Sequence, residues 1–273
     1  MFKLLQIFTI VFMATIAVGC YLPKKEVLVV GNKKQNNTVT IFNYSDSIFP
    51  NDTILKIQNL KFLYIFSRDF KPLHHIKFDT TKLKTLNHLK TLTFLGYDLK
   101  DFPMELSMLD SLENLNIVSC NITDYPKDLS DFKNLKSLSL SLNQIKLLPK
   151  DVISNNLLQK LYLSNNQIVS VDTGFLHSLQ LKELYLGNSE DTEGKNFALN
   201  KLTLESKIQI AKYIKNNSHV NKLLLGNLTC EEKDLIKKII SDKKKLKILN
   251  IRNEFKCKTD KIKTSLTLKN LEE

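Results

Sequence analysis

The leucine register between residues 89 and 191 constrains this chain more than any other feature. LKTLTFLGYDL starts at Leu89, LENLNIVSCNI at Leu112, LKSLSLSLNQI at Leu135, LQKLYLSNNQI at Leu158 and LKELYLGNSED at Leu181, each 23 residues after the last. A fixed period in this range marks a stacked array rather than a single globule. Within each segment, L-x-L alternation sends one set of side chains to one face of a short strand. Leu92 with Phe94, Leu115 with Ile117 and Leu138 with Leu140 therefore point inward. Successive strands stack in parallel about 4.8 Å apart. An inward Leu or Ile contributes about 1.5–3 kcal/mol when buried. Only a neighbouring coil can bury it, so the array folds as a unit.

The pattern L-x-x-L-x-L-x-x-[N/C]-x-[L/I] resembles the leucine-rich repeat family, and the segments LKDFPMEL, ITDYPKDL and IKLLPKDV resemble the outer half of its typical 23-residue class. The resemblance implies an α/β solenoid. A curved parallel sheet forms its concave face, extended or short helical segments its convex side, and longer helices its C-terminal repeats. Asn143 and Asn166 take the turn position, where an amide can bond the main chain of two coils. Cys120 takes it one coil earlier as a small buried substitute, read as structural because no His lies near enough to activate it. Tyr97 and Ser189 occupy it at either end, so a short central ladder is expected.

Outside residues 89–188 the register loosens. LKFLYIFSRDF at Leu60 and LHHIKFDTTKL at Leu73 keep the strand half of the repeat. Their spacing from Leu89 is too short for full coils, which predicts an N-terminal cap and irregular repeats over 39–88. Residues 189–273 read as strand–helix repeats with a C-terminal cap. Strand segments begin at Val220 and Leu246, a helix covers LESKIQIAKYIKNN, and a second follows Thr229. Thr229 and Glu232 have the spacing of a capping box, and Leu235, Ile236, Ile239 and Ile240 form one stripe.

The N-terminus is read as an address. Lys3 precedes an uncharged apolar run from Leu4 to Val18, the length of a signal-peptide core and too short to span a bilayer. The run ends Ala17-Val18-Gly19-Cys20, which resembles the lipobox of bacterial lipoproteins, with Ala17 where that family usually has Leu. The resemblance implies removal of residues 1–19, lipidation at Cys20 and anchoring in the cell envelope, with the outer membrane favoured. Residues 20–38 are read as a tether, with VLVV at 27–30 alternatively a first strand.

Composition narrows the chemistry. At 42% hydrophobic and 25% charged the chain is ordinary globular material. Four Cys are too few for a disulfide scaffold. No G-x-G-x-x-G exists, and Gly194-Lys195 has Ser189 where a P-loop needs Gly. The five His lack metal-ligand spacing. No catalytic constellation, metal site or cofactor is expected. Cys230 and Cys257 lie near the same register in the last two coils. They are read as a cap-locking disulfide or as two separate thiols.

Binding is expected on the strand face. Listed in register, the outward column runs Thr93, Asn116, Ser139, Tyr162, Tyr185, Leu224 and Asn250, flanked by Lys160, Glu183 and Lys222. Tyr supplies large contact area at low rotamer cost. The candidate surface for a protein partner is therefore Tyr162, Tyr185, Leu224, Lys160, Lys222 and Arg252, against the alternative that the tyrosines only stiffen the sheet. From Ser206 onward, 17 Lys/Arg against 8 Asp/Glu account for nine of the twelve excess positive charges. For an exported chain this favours anionic lipid headgroups, envelope polymers or host glycans over nucleic acid, against the alternative of a solvated lysine-rich helix face.

Overall fold

The structure is a computed structural model that describes residues 27–30, 37–67, 75–154, 156–188, 199–217, 219–225, 228–241 and 248–250. Its centre is a ten-stranded sheet. In chain order the strands are β1 (Val27–Val30), β2 (Thr38–Phe42), β3 (Ile48–Phe49), β4 (Phe62–Phe66), β5 (Lys77–Phe78), β6 (Thr91–Leu95), β7 (Asn114–Val118), β8 (Ser137–Ser139), β9 (Lys160–Tyr162), β10 (Glu183–Tyr185), β11 (Lys222–Leu224) and β12 (Ile248–Asn250). All except β3 and β5 join the main sheet in chain order. From β2 to β12 every pairing in it is parallel. The chain is an α/β solenoid, a parallel sheet stacked coil on coil with helices on its return segments.

The register agrees with the sequence residue for residue. Leu92, Leu115, Leu138, Leu161 and Leu184 are consecutive partners, and each is essentially buried. One core runs continuously from Val39 to Ile240. Helix Leu204–Asn216 adds Ile210, Ala211, Tyr213 and Ile214 to it. Helix Cys230–Ile240 has the expected capping box, but of its stripe Ile236 and Ile240 are buried while Leu235 is 38% exposed.

The N-terminal half departs from expectation in two ways. Leu60 starts a genuine coil, whereas the segment after Leu73 does not supply a strand of the main sheet. Its β5 pairs with β3 in a separate two-stranded sheet. The intervals of 13 and 16 residues are two parts of one 29-residue coil, since β4 pairs directly with β6. Residues 39–59 form a further coil, because β2 pairs in parallel with β4 at an offset of 24 residues (Thr38 with Phe62). Within the segment read as a tether, β1 pairs antiparallel with β2, so the alternative first-strand reading of VLVV holds.

The turn after each strand has a fixed solution. Gly96, Ser119, Leu142 and Asn165 all have positive φ, one per coil, each immediately before the ladder position. Left-handed backbone reverses the chain tightly there, at about 1–2 kcal/mol for a non-glycine residue. The ladder residue then satisfies the exposed main chain. Asn143 Nδ2 donates to Ile117 O at 2.8 Å and Leu140 O at 3.0 Å, and its Oδ1 accepts from Cys120 N and Ile122 N. Asn166 repeats this with Leu140 O, Leu163 O and Ile145 N.

The ladder is longer than the sequence suggests. Asn200 donates to Leu163 O and Leu186 O, both at 2.8 Å, and accepts from Ile168 N. It fills the place expected of Ser189, which lies outside the described residues. An insertion separates the strand from its own turn residue, and Leu202 follows as the next core aliphatic. Cys120 continues the ladder upstream, its thiol 3.2 Å from Val118 O and 3.7 Å from Phe94 O. Burial pushes that thiol up to about 12, so it stays protonated at neutral pH.

Two stability predictions follow from these turns. Asn166→Ala strands three buried main-chain groups and is expected to cost about 3 kcal/mol or more in denaturant unfolding. Tyr125 has the opposite sign. Its hydroxyl is buried without a partner among the described residues, at a position where neighbouring coils carry Phe102 and Leu148. Tyr125→Phe is expected to stabilise by about 1 kcal/mol in the same measurement.

Candidate binding surface

The sheet face turned away from the core carries three side-chain rows. The middle row pairs Tyr64, Thr93, Asn116, Ser139, Tyr162, Tyr185 and Leu224 in unbroken register. The 39-residue gap before β11 thus leaves β10 and β11 adjacent, as the candidate surface requires. Tyr162 and Tyr185 stack with ring centroids 4.7 Å apart and planes 26° apart. That distance is close to the strand spacing.

Large side chains at that spacing bury one another. Tyr185 is 8% exposed and Leu224 5%, while Tyr162 is half-buried. The expected broad tyrosine–leucine surface is therefore narrower, with Tyr162 its accessible aromatic edge. Burial raises both phenols well above their usual pKa, and the Glu183 charge beside them adds to the shift. Both stay neutral donors.

Glu183 organises the cluster. Lys160 Nζ lies 3.3 Å from its Oε1, Lys222 Nζ lies 3.2 Å from the same oxygen, and Tyr162 donates to Oε2 at 3.2 Å. The two lysines come from the strands on either side. Burial alone would raise the Glu183 carboxyl, but Lys160 and Lys222 outweigh it and hold the pKa below the ordinary value. The lysines are consequently not two free cations. The trio has one excess positive charge. The sequence column contained Glu183, but its role required knowing that β11 follows β10 directly.

A second trio was not anticipated. Lys90 and Lys136 donate to the two oxygens of Glu113 at 2.8 and 2.9 Å, and they depress its pKa. The signal was present as opposite charges at a 23-residue spacing. The third outward row was also missed. Phe66, Leu95 and Val118 form a small apolar cluster with Phe42, Tyr64 and Leu142 packed against it.

The remaining candidates fall as follows. Cys230 is disulfide-bonded, whereas Cys257, Arg252 and Cys20 lie outside the described residues. Among the described residues no group of three His, Cys, Asp or Glu could hold a metal. No described helix is long and apolar enough to cross a membrane.

Residues 110–168 match the leucine rich repeat family, the stretch where ladder and period coincide. Among solved structures the chain is similar to a leucine-rich-repeat protein of Leptospira interrogans, at 22% identity and a TM-score of 0.49, covering 75% of this chain and 57% of that one. It is similar to an internalin of Listeria monocytogenes at 18% identity and a TM-score of 0.45, covering 76% and 58%. A chain of the Toll–Spätzle complex of Drosophila matches at 14% identity and 0.30, covering 66% and 31%. The chain thus spans less than three-fifths of the length of these structures. No curated protein matches it significantly.

The Glu183 trio predicts an acid dependence. A carboxyl depressed in the folded state stabilises above its unfolded pKa, and that contribution fades as pH falls through the folded value. The thermal midpoint of the wild-type protein is expected to drop more steeply below about pH 5 than that of Glu183→Gln, followed by circular dichroism.

Proposed function

We propose that this chain is a lipid-anchored protein of a bacterial cell envelope whose repeat sheet recognises a protein partner, without catalysis of its own. The observation that carries the recognition half is the Tyr162–Tyr185 stack, set in register between Lys160 and Lys222 on a rigid parallel sheet. Tyrosine held by stacking and by a hydroxyl bond to Glu183 loses little freedom on binding. Bordering charges supply orientation and on-rate. The match to leucine-rich repeats supports an interaction module in general. The envelope half rests on the apolar run before Cys20, because two or three acyl chains hold a protein to a bilayer where one does not.

Each half has its own test. Tyr162→Ser changes a half-buried side chain. It is expected to abolish cross-linked capture of the partner from envelope extract while the circular dichroism spectrum and melting midpoint stay close to wild type. Unchanged capture overturns the tyrosine surface. Cys20→Ala is expected to move the protein from the detergent-extracted membrane fraction to the soluble fraction. A mutant that still partitions with membrane rejects the anchor.

A further inference from the structure

The residues that enter successive strands are linked coil to coil by main-chain hydrogen bonds. Lys90 N donates to Lys61 O, Glu113 N to Lys90 O, Lys136 N to Glu113 O, Gln159 N to Lys136 O and Lys182 N to Gln159 O. These positions therefore form one rail along the N-terminal ends of the strands. Lys160 and Lys222 stand one residue further on, as the first residues of β9 and β11. Lys61, Lys90, Lys136, Lys160, Lys182 and Lys222 thus line a single edge. Their only carboxylate companions on the rail and on those first strand positions are Glu113 and Glu183, each held by two lysines. Asp110 and Asp131 lie on the preceding turns and are exposed. Six cations against two neutralised carboxylates leave a strongly positive edge spanning seven strands, about 29 Å at the usual strand spacing.

We propose that this lysine edge docks an extended, acidic polypeptide segment of the partner, laid across the coils beside Tyr162. The inference rests on the reading of the sheet as a protein-binding surface. Carboxylates are the favoured anion for two reasons. The edge is built from lysine alone, a point charge, rather than from arginine, whose planar fork suits phosphate and sulfate. It also carries its own demonstration, since at Glu113 two lysines from flanking coils close on one carboxylate at 2.8 and 2.9 Å. A polypeptide is favoured over an acidic glycan by what adjoins the edge. The Tyr162 hydroxyl gives its one proton to Glu183, so Tyr162 donates nothing to a sugar oxygen and presents mainly its apolar ring. An extended segment of about nine residues covers the edge.

The test is fluorescence anisotropy of a labelled peptide of about ten residues, alternating Glu and Tyr, titrated with full-length protein in detergent. Saturable binding that weakens as NaCl is raised is expected. Lys182 is exposed and Lys61 half-buried, neither belongs to the core, and neither makes an ion pair among the described residues, so Lys61→Gln/Lys182→Gln removes charge without opening a cavity. It is expected to weaken the peptide about tenfold, with an unchanged circular dichroism spectrum. Equal binding by the double variant, or of a Lys–Tyr peptide of the same length, overturns the proposal. Tighter binding of heparin or polygalacturonate than of the acidic peptide also overturns it, in favour of an anionic glycan. If the acidic peptide fails while partner capture still depends on Tyr162, only the lysine edge is wrong. If both fail, the protein-binding reading falls with it.

Discussion

The coils at the centre of this molecule depend on an amide buried at the turn after the strand. A parallel ladder whose strands are three to five residues long ends almost as soon as it begins. The main chain leaving it would be buried with its polar groups open, at about 1–3 kcal/mol for each. Asn143, Asn166 and Asn200 answer this by bonding two coils at once, donating to one pair of carbonyls and accepting from the coil before. At Asn143 and Asn166 the left-handed residue just ahead, Leu142 or Asn165, brings the amide into place. Apolar burial supplies the driving force for stacking, and these amides fix which residue lies over which.

That fixed stacking turns a sequence period into a surface. Residues far apart in the chain become neighbours at strand spacing, and any side-chain type repeated at the period becomes a stripe. Tyr162 over Tyr185 is one outcome. The two Lys–Glu–Lys trios are another, in which neutralisation comes from the coils on either side. The same geometry limits what is offered to a partner, because bulky neighbours in one row cover each other. Tyr185 and Leu224 have lost most of their exposure in this way.

Much of this was legible in the chain. The leucine spacing fixed the core residues, the outward column and the order of strands from Leu89 to Leu186. It failed where local spacing and coil length parted company. The segment after Leu73 has the alternation of a main-sheet strand, but its β5 pairs with β3 in a separate sheet, because alternation does not say which sheet a strand joins. Asn200 was hidden because an insertion moved it out of the numerical register that pointed to Ser189. Periodicity assumes that a repeat is contiguous, whereas hydrogen bonding requires only that its ends meet. On the candidate surface, residue identity was readable and accessibility was not, since burial of Tyr185 and Leu224 depends on their lateral neighbours. The Glu113 trio could have been found by searching for opposite charges at the repeat interval. The Glu183 trio could not, without the pairing of β10 with β11.

The base of that insertion is itself tied. Asn188 Oδ1 accepts from Asn200 N, and Asn188 Nδ2 donates to Asn200 O. The repeat is clamped shut on both sides of the interruption, so the solenoid does not register how much chain passes between the two asparagines. Since loop-closure entropy grows only logarithmically with length, this spot is a ready port for grafting. An epitope, a tag or a whole foreign module could be spliced there while the coils above and below keep their alignment.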